Sequence, residues 1–171
     1  MSAASPPGRH HLDGARSLGL AVLSVSDTHS EEDDVSGHLA RTILAGAGHK
    51  VLHYHLVANS VADVRERLDA WLAEVPVEAV VTVGGTGVSS RDLTVNALEA
   101  MGGRVIPGFG ELYRSMSFAE VGPLALLSRA TLFVVKGKPV FALPGSERAV
   151  RTALEKLIVP SVQHLVEELE R

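Results

Sequence analysis

The chain alternates short apolar runs with longer segments of helical apolar spacing. Residues 18–26 (LGLAVLSVS) are almost continuously apolar, and similar runs follow at 51–57 and 79–83. In the second intervening segment, Val64, Leu68 and Trp71 recur at the spacing of one helix face. A short run without polar alternation suits a strand that is buried on both faces of a parallel sheet. The alternation therefore predicts an α/β fold of three layers, α/β/α, around a mostly parallel, doubly wound sheet.

The second half of the sequence predicts how this sheet is completed. The stretch TLFVVKGKPVFALP holds two apolar runs around a KGKP turn, which predicts a hairpin in one part of the sheet. Thr94 is expected to be the N-cap of a helix that runs to about Met101. Ser146 is expected to cap a last helix, which Pro160 should interrupt. The stretch 105–130 predicts short helices joined by glycine and proline.

The bulk composition excludes several classes of protein. The 171 residues carry a net charge of −4 with both signs interspersed, which argues against a nucleic-acid-binding surface. The absence of cysteine excludes disulfides and thiol catalysis. No apolar run approaches the roughly 18 residues of a membrane span. Residues 1–17 lack an apolar signal-peptide core and are predicted to be a disordered leader before a single domain at 18–171. We therefore expect a cytoplasmic protein with no membrane partner.

The stretch TVGGTGVSSRDLT at 82–94 is the strongest candidate for a binding loop. It follows a predicted strand directly, and its glycines would let backbone N–H groups approach an anion closely. The alternative is a tight strand-to-helix turn that binds nothing. Two more polar loops, at 27–37 and 144–146, also leave strand ends. Because ligands of open parallel sheets bind at such ends, their convergence favours an anion site at Gly84, Gly85, Thr86 and Gly87.

Charged residues near these loops have both a ligand-binding and a structural interpretation. Asp92, just beyond the glycines, is the best candidate to hold Mg²⁺, since this cation prefers carboxylate oxygens. Arg91 either faces a phosphate or forms a surface ion pair. Asp34 either caps a helix or helps to hold the metal. The neighbouring run at 31–33 (EED) is interpreted as a solvated charge run.

Five segments together resemble the MoaB/MogA family of molybdenum-cofactor biosynthesis proteins. In chain order they are SVSDTHSEEDDVSGH, TVGGTGVSSRDLT, IPGFGELYRSMSFAEVG, LLSRA and ALPGS. The resemblance covers nearly the whole chain after the leader. Gephyrin-type and CinA-type domains share the GGTG and LPGS segments, whereas the EEDDVSGH and FGELYRSMSF segments are more similar to the MoaB branch.

The resemblance implies a reaction and a set of site residues. Members of the family transfer AMP from Mg-ATP to the terminal phosphate of molybdopterin and release pyrophosphate. The resemblance also implies a trimer or a hexamer. Asp92 and Asp27 would be catalytic, with Asp92 and Asp34 at the metal. Glu111 matches a family acid and Arg129 a position on the pterin-phosphate side. The substrate- and phosphate-binding positions would be Gly84, Gly85, Thr86, Gly87, Ser89, Arg91, Thr94, Ser36, Gly37, Ser128, Pro144, Gly145 and Ser146.

One departure keeps a second function open. Asn59 stands where the MogA branch has an acidic residue, so the protein could instead be a carrier that binds molybdopterin or its precursor without chemistry. The retained Arg-Asp-x-Thr pattern at 91–94 favours the enzyme. The apolar character of the stretch 123–135 and of the C-terminal helix predicts a closed homotrimer or homohexamer.

Overall fold

The computed structural model describes residues 16–171, and the leader expected at 1–17 lies outside these residues except for its last two. Six strands form one sheet in the order β2-β1-β3-β6-β5-β4. The strands are β1 (Gly19–Val25), β2 (Lys50–Val57), β3 (Ala79–Val83), β4 (Arg104–Ile106), β5 (Thr131–Val135) and β6 (Lys138–Leu143). The helices are α1 (Val35–Gly46), α2 (Val61–Leu72), α3 (Thr94–Ala100), α4 (Pro107–Val121), α5 (Glu147–Ala153) and α6 (Val159–Leu169), with a 3₁₀ segment at Gly122–Leu127.

The pairing of the strands confirms the predicted sheet. The strands β2, β1, β3 and β6 run parallel to one another, and β5 runs antiparallel to β6. Lys136 and Gly137 both have positive φ, at 51° and 79°, which is the backbone of a tight two-residue hairpin turn. The sequence analysis missed β4, a strand of only three residues that pairs antiparallel with β5.

Helices cover both faces of the sheet, which confirms the three-layer single-domain architecture. On one face α2 and α3 contribute Leu68, Trp71 and Leu98 to a core with the sheet residues Leu23 and Phe133. On the other face α1, α4, α5 and α6 pack over the sheet around a second core. None of the helices in residues 16–171 is long and apolar enough to cross a membrane.

Pro160 does not interrupt the last helix as predicted. The chain stays helical from α5 through a π-helical turn at Leu154–Ile158 into α6. In this turn the Val159 N–H bonds to the Leu154 carbonyl, five residues back. Pro160 then lies in the first turn of α6, where a residue without an N–H group is tolerated. The π-helical turn thus accommodates Pro160, and the helix continues.

Candidate ligand-binding site at the strand ends

A pocket of about 770 Å³ opens at the carboxyl ends of β1, β3 and β6. The chain winds outward from β1 in one direction to β2 and in the other to β3, so strand order reverses between β1 and β3. Such a reversal point is where open α/β sheets bind ligands. The predicted site residues that line this pocket are Asp27, Asp34, Ser36, Gly84, Gly85, Thr86, Gly87, Arg91, Asp92, Pro144, Gly145 and Ser146.

The loop between β3 and α3, residues 84–93, is called the glycine loop and presents unpaired backbone amides at this pocket. Gly84 and Gly85 adopt φ values of 103° and 66°, a region that side chains disfavour. The Gly84 N–H donates to the Leu143 carbonyl at 2.9 Å, which ties β3 to β6. Within residues 16–171, the N–H groups of Gly85, Thr86 and Gly87 donate to no protein acceptor. Consecutive unpaired amides in a turn form a concavity suited to an anion.

Thr94 supports the loop from below and is not the predicted N-cap. Leu93 occupies the cap position, and Thr94 is the first, fully buried residue of α3. Its hydroxyl donates to the Gly84 carbonyl at 2.8 Å, and its N–H donates to the Gly85 carbonyl at 3.1 Å. The hydroxyl is therefore engaged with the loop, so Thr94 shapes the pocket without lining it.

Asp27 and Asp92 each keep one carboxylate oxygen without a donor among residues 16–171. Asp92 Oδ2 accepts from the Ser89 N–H at 3.0 Å, and Asp27 Oδ1 accepts from the Asn59 N–H at 2.8 Å. Asn59 Oδ1 in turn accepts from the Leu93 N–H at 3.0 Å, so Asn59 links the two acidic loops. Residues 16–171 contain no preformed cluster of three metal-binding side chains. The two free oxygens fit Mg²⁺, which is commonly held by one or two carboxylates together with substrate phosphates.

Asp34 has the capping role that the sequence left open. It is the N-cap of α1, where Oδ1 accepts from the Gly37 N–H at 2.9 Å, and it is only 7% exposed. Its Oδ2 accepts from the Tyr54 hydroxyl at 2.8 Å. Burial, reinforced by this bond to Asp34, raises the pKa of Tyr54, so the phenol stays protonated. Gly37 has no space for a side chain, because a Cβ would lie 2.0 Å from Asp34 Oδ2.

The acidic run at 31–33 is exposed, as expected of a solvated run, and two of its residues also bond to neighbouring groups. Glu31 pairs with His55 of β2 and accepts from the Leu56 N–H at 3.1 Å. Asp33 accepts from the N–H of Ser30 at 2.6 Å and from its hydroxyl at 3.1 Å. The bond from the Ser30 backbone, more than that from its hydroxyl, lowers the pKa of Asp33. These contacts hold the loop against the edge strand.

The third loop joins the pocket through α1 and α5. The Ser36 hydroxyl donates to the Gly145 carbonyl at 2.7 Å, across the mouth of the sheet. The Ser146 hydroxyl accepts from the Ala149 N–H at 3.3 Å, which confirms the predicted N-cap of α5. Each serine therefore has a structural bond as well as a place in the pocket lining.

The remaining predicted residues divide between pocket and support. Arg91 lines the pocket and forms no ion pair with any of residues 16–171, so the predicted surface pair is not found there. Ser89 lies in a neighbouring recess that also touches Asp92. The Ser128 hydroxyl accepts from the Ala130 N–H at 3.2 Å and is not in the pocket lining. Glu111 is an exposed residue of α4 outside the pocket.

Sequence reasoning missed a group of polar residues at the end of β1. Ser24, Ser26, Thr28 and His29 all line the pocket. The Ser24 hydroxyl is buried and has no well-formed hydrogen bond to any of residues 16–171. Ser26 Oγ lies 3.0 Å from His29 Nδ1. The signal was present in the sequence, since serines that interrupt an apolar strand near its carboxyl end lie where ligands bind.

Comparison with known proteins identifies the family. Residues 21–164 match the model of the "Probable molybdopterin binding domain". Molybdenum cofactor biosynthesis protein B of Staphylococcus carnosus is 42% identical over 159 residues, covering 91% of this chain and 93% of that protein. The chain belongs to the MoaB/MogA family.

Solved structures of family members share the fold. A crystal structure of a molybdenum cofactor biosynthesis protein B superposes with a TM-score of 0.88 at 40% identity, covering 92% of this chain and 99% of that one. The tungsten cofactor synthesizing protein MoaB from Pyrococcus furiosus gives a TM-score of 0.80 at 31% identity, with coverages of 92% and 100%. The chain is thus a molybdenum-cofactor biosynthesis family protein with the α/β fold of MoaB and MogA.

Proposed function

We propose that this protein transfers AMP from Mg-ATP to the terminal phosphate of molybdopterin and releases pyrophosphate. The observation that carries the proposal is the meeting of two features in one pocket. The unpaired amides of Gly85, Thr86 and Gly87 suit phosphate oxygens, and the carboxylates of Asp27 and Asp92 lie in the same lining. Molybdopterin comes to this chain from the family model and from the names of its relatives.

The chemistry of this transfer matches what the pocket offers. A phosphate oxygen of the pterin attacks the α-phosphorus of ATP, and the bond from that phosphorus to the bridging oxygen of pyrophosphate breaks. The attacking phosphate is already largely ionised near pH 7, so the site needs no strong general base. Phosphoryl and nucleotidyl transfer depend mainly on positioning and on neutralising charge. The amides of the glycine loop and the exposed guanidinium of Arg91 supply both.

Asp92 and Asp27 are the residues that would hold magnesium. Each has one carboxylate oxygen with no donor in the described part of the chain, while the oxygens of Asp34 each accept a hydrogen bond. When bound, magnesium would neutralise the charge on the ATP phosphates. Asn59 and Ser89 keep the two carboxylates in place by donating their backbone N–H groups to them.

A non-catalytic molybdopterin carrier is the second candidate, and Asn59 favours it. Its side chain adds an uncharged amide to the pocket where an acid would add another carboxylate. Fewer carboxylates weaken the hold on a divalent cation, but they also repel an anionic pterin less.

One incubation separates the two candidates. The purified protein is mixed with molybdopterin and Mg-ATP, and the amounts of adenylylated pterin and of pyrophosphate are measured over time. The proposed reaction forms the two products in equal amounts. The enzyme produces both, and both disappear when magnesium is chelated. A carrier retains the pterin through gel filtration but forms neither product.

We also propose that the protein assembles into a homotrimer or homohexamer through an apolar patch on α4 and the 3₁₀ segment. The patch consists of the exposed side chains of Leu112, Phe118, Leu124, Leu126 and Leu127. The segment at 131–135, which the sequence analysis assigned to the interface, is instead β5 in the interior of the sheet. The C-terminal helix α6 likewise exposes no large apolar side chain. Closed symmetry with a second copy of the chain would cover the patch on every subunit.

A further inference from the structure

Arg129 forms three hydrogen bonds to the glycine loop and a fourth to α3. Its Nε donates to the Gly87 carbonyl at 2.8 Å, and a second nitrogen, Nη2, donates to the Asp92 carbonyl. Nη1 donates to Asn96 Oδ1 of α3 at 3.1 Å. The Arg129 N–H also donates to the Thr86 carbonyl at 2.8 Å. One residue thus bonds to three points of the loop and to the helix that follows.

The guanidinium acts on the loop from outside the pocket. Arg129 is half-buried and lines the neighbouring recess with Ser89 and Asp92, not the main pocket. Within the loop, Asp92 and Gly87 are in close contact, since a Cβ on Gly87 would lie 2.6 Å from Asp92 Oδ2. The two carbonyls held by Arg129 belong to these same residues. The distance between the Gly87 and Asp92 carbonyls is therefore tied to the distance between Nε and Nη2 of the guanidinium.

We propose that Arg129 is a positioning residue, which fixes the Gly87 amide and the Asp92 carboxylate relative to each other. The inference rests on the proposed function, in which the first group binds phosphate and the second holds magnesium. A planar guanidinium reaches several acceptors in fixed directions, whereas a lysine ammonium keeps the charge but not the fork. Arg129→Lys would therefore keep the positive charge beside the loop but lose the fixed directions of the bonds, so the loop could shift.

The test compares Arg129→Lys with Arg114→Lys as a matched control. Arg114 also donates to carbonyls of the same segment, those of Ser128 and Ala130, but it has no bond to the glycine loop. Hydrogen exchange is first measured on the ligand-free proteins, at the paired amides of Asp92, Leu93 and Thr94. We expect about tenfold faster exchange in Arg129→Lys, because a local opening becomes easier, and no change in Arg114→Lys.

Steady-state kinetics on the same proteins give a second readout. Displacing a reacting group by about 1 Å can cost on the order of 10²-fold, so kcat should fall by about that factor in Arg129→Lys. The KM for molybdopterin should change little, because the backbone N–H of residue 129 still holds the Thr86 carbonyl and with it the peptide unit that carries the Gly87 N–H. Exchange rates and a kcat equal to those of the wild type in Arg129→Lys would overturn the proposal. An equal loss of kcat in Arg129→Lys and Arg114→Lys, with a lower Tm in both, would also overturn it. If the wild type transfers no AMP, the proposed function fails, and the exchange data alone decide the role of Arg129.

Discussion

Gly85 and Gly145 line the same pocket but differ in what a side chain would meet. At Gly85, φ is 66° and a Cβ would lie 2.3 Å from Thr94 Oγ1, so the missing side chain would point into the support of the loop. At Gly145 the nearest atom to a Cβ would be Gly84 Cα at 3.4 Å, an ordinary contact. Glycine is thus required at 85 for the fold of the loop, whereas at 145 it is not required by the backbone.

This difference gives a paired prediction. Gly85→Ala should lower the free energy of unfolding by about 1–3 kcal/mol, the usual cost of an unfavourable backbone conformation. Gly145→Ala should change it by no more than about 0.5 kcal/mol, as expected for a residue without a special backbone role. Urea unfolding of both variants measures the effect. Equal stabilities would show that the close contact of Gly85 with Thr94 does not constrain the loop.

Asp34 offers a second test at this scale. Asparagine caps helices about as well as aspartate through its one oxygen, so Asp34→Asn should lose mainly the carboxylate oxygen that accepts from the Tyr54 hydroxyl. We expect a loss of about 1 kcal/mol in stability and unchanged Mg²⁺-dependent ATP binding by calorimetry. A weaker magnesium dependence at unchanged stability would instead make Asp34 a metal ligand.

The junction between α1 and β2 makes the fold sensitive to acid. His49 Nδ1 accepts from the Leu18 N–H at 3.3 Å, and burial lowers the pKa of His49 below its ordinary value. The folded state therefore prefers neutral His49, so this stabilising contribution is present above about pH 6.5 and is lost as pH falls below it. Tm should drop between pH 7.5 and 5.5, and the drop should be smaller in His49→Asn, whose amide oxygen can still accept. An identical drop in both proteins would assign the acid sensitivity to other groups.

Elements with a strong local pattern could be predicted from the sequence. The apolar runs at β1 and β3 are completely buried in the structure, and Ser146 caps α5 as predicted. The strand β4 could not be predicted, because its three residues contain an exposed arginine and no apolar run. Its existence depends on pairing with β5, a tertiary contact that local sequence does not record.

The candidate site shows the same division. The glycine stretch and the strand-end loops were predictable, because backbone requirements and topology place them together. The contacts of Thr94 and Arg129 were not, since each side chain bonds to a backbone carbonyl that only the folded loop brings within reach. The same sequence segments therefore indicated the place of the pocket but not which residues support it and which face it.

At the scale of the molecule, exposed apolar surface should determine assembly. Leu126 is 72% exposed in the patch on α4 and the 3₁₀ segment, while Val75 is 90% exposed outside it. Burying one leucine side chain contributes about 1.5–3 kcal/mol, so Leu126→Glu should raise the dissociation constant of the assembly at least about tenfold. Sedimentation velocity should show smaller species for Leu126→Glu but not for Val75→Glu. A wild type that is monomeric at micromolar concentration would contradict the proposed assembly.

The most direct test of the account is a comparison of wild type with Asp92→Asn for both molybdopterin affinity and AMP transfer. Asparagine is nearly isosteric and can still accept from the Ser89 N–H, so the loop should keep its shape. Removing the charge should leave pterin affinity unchanged and slow AMP transfer by roughly 10²-fold, the typical effect of losing one preorganised electrostatic group. Transfer at the wild-type rate in Asp92→Asn would contradict the account.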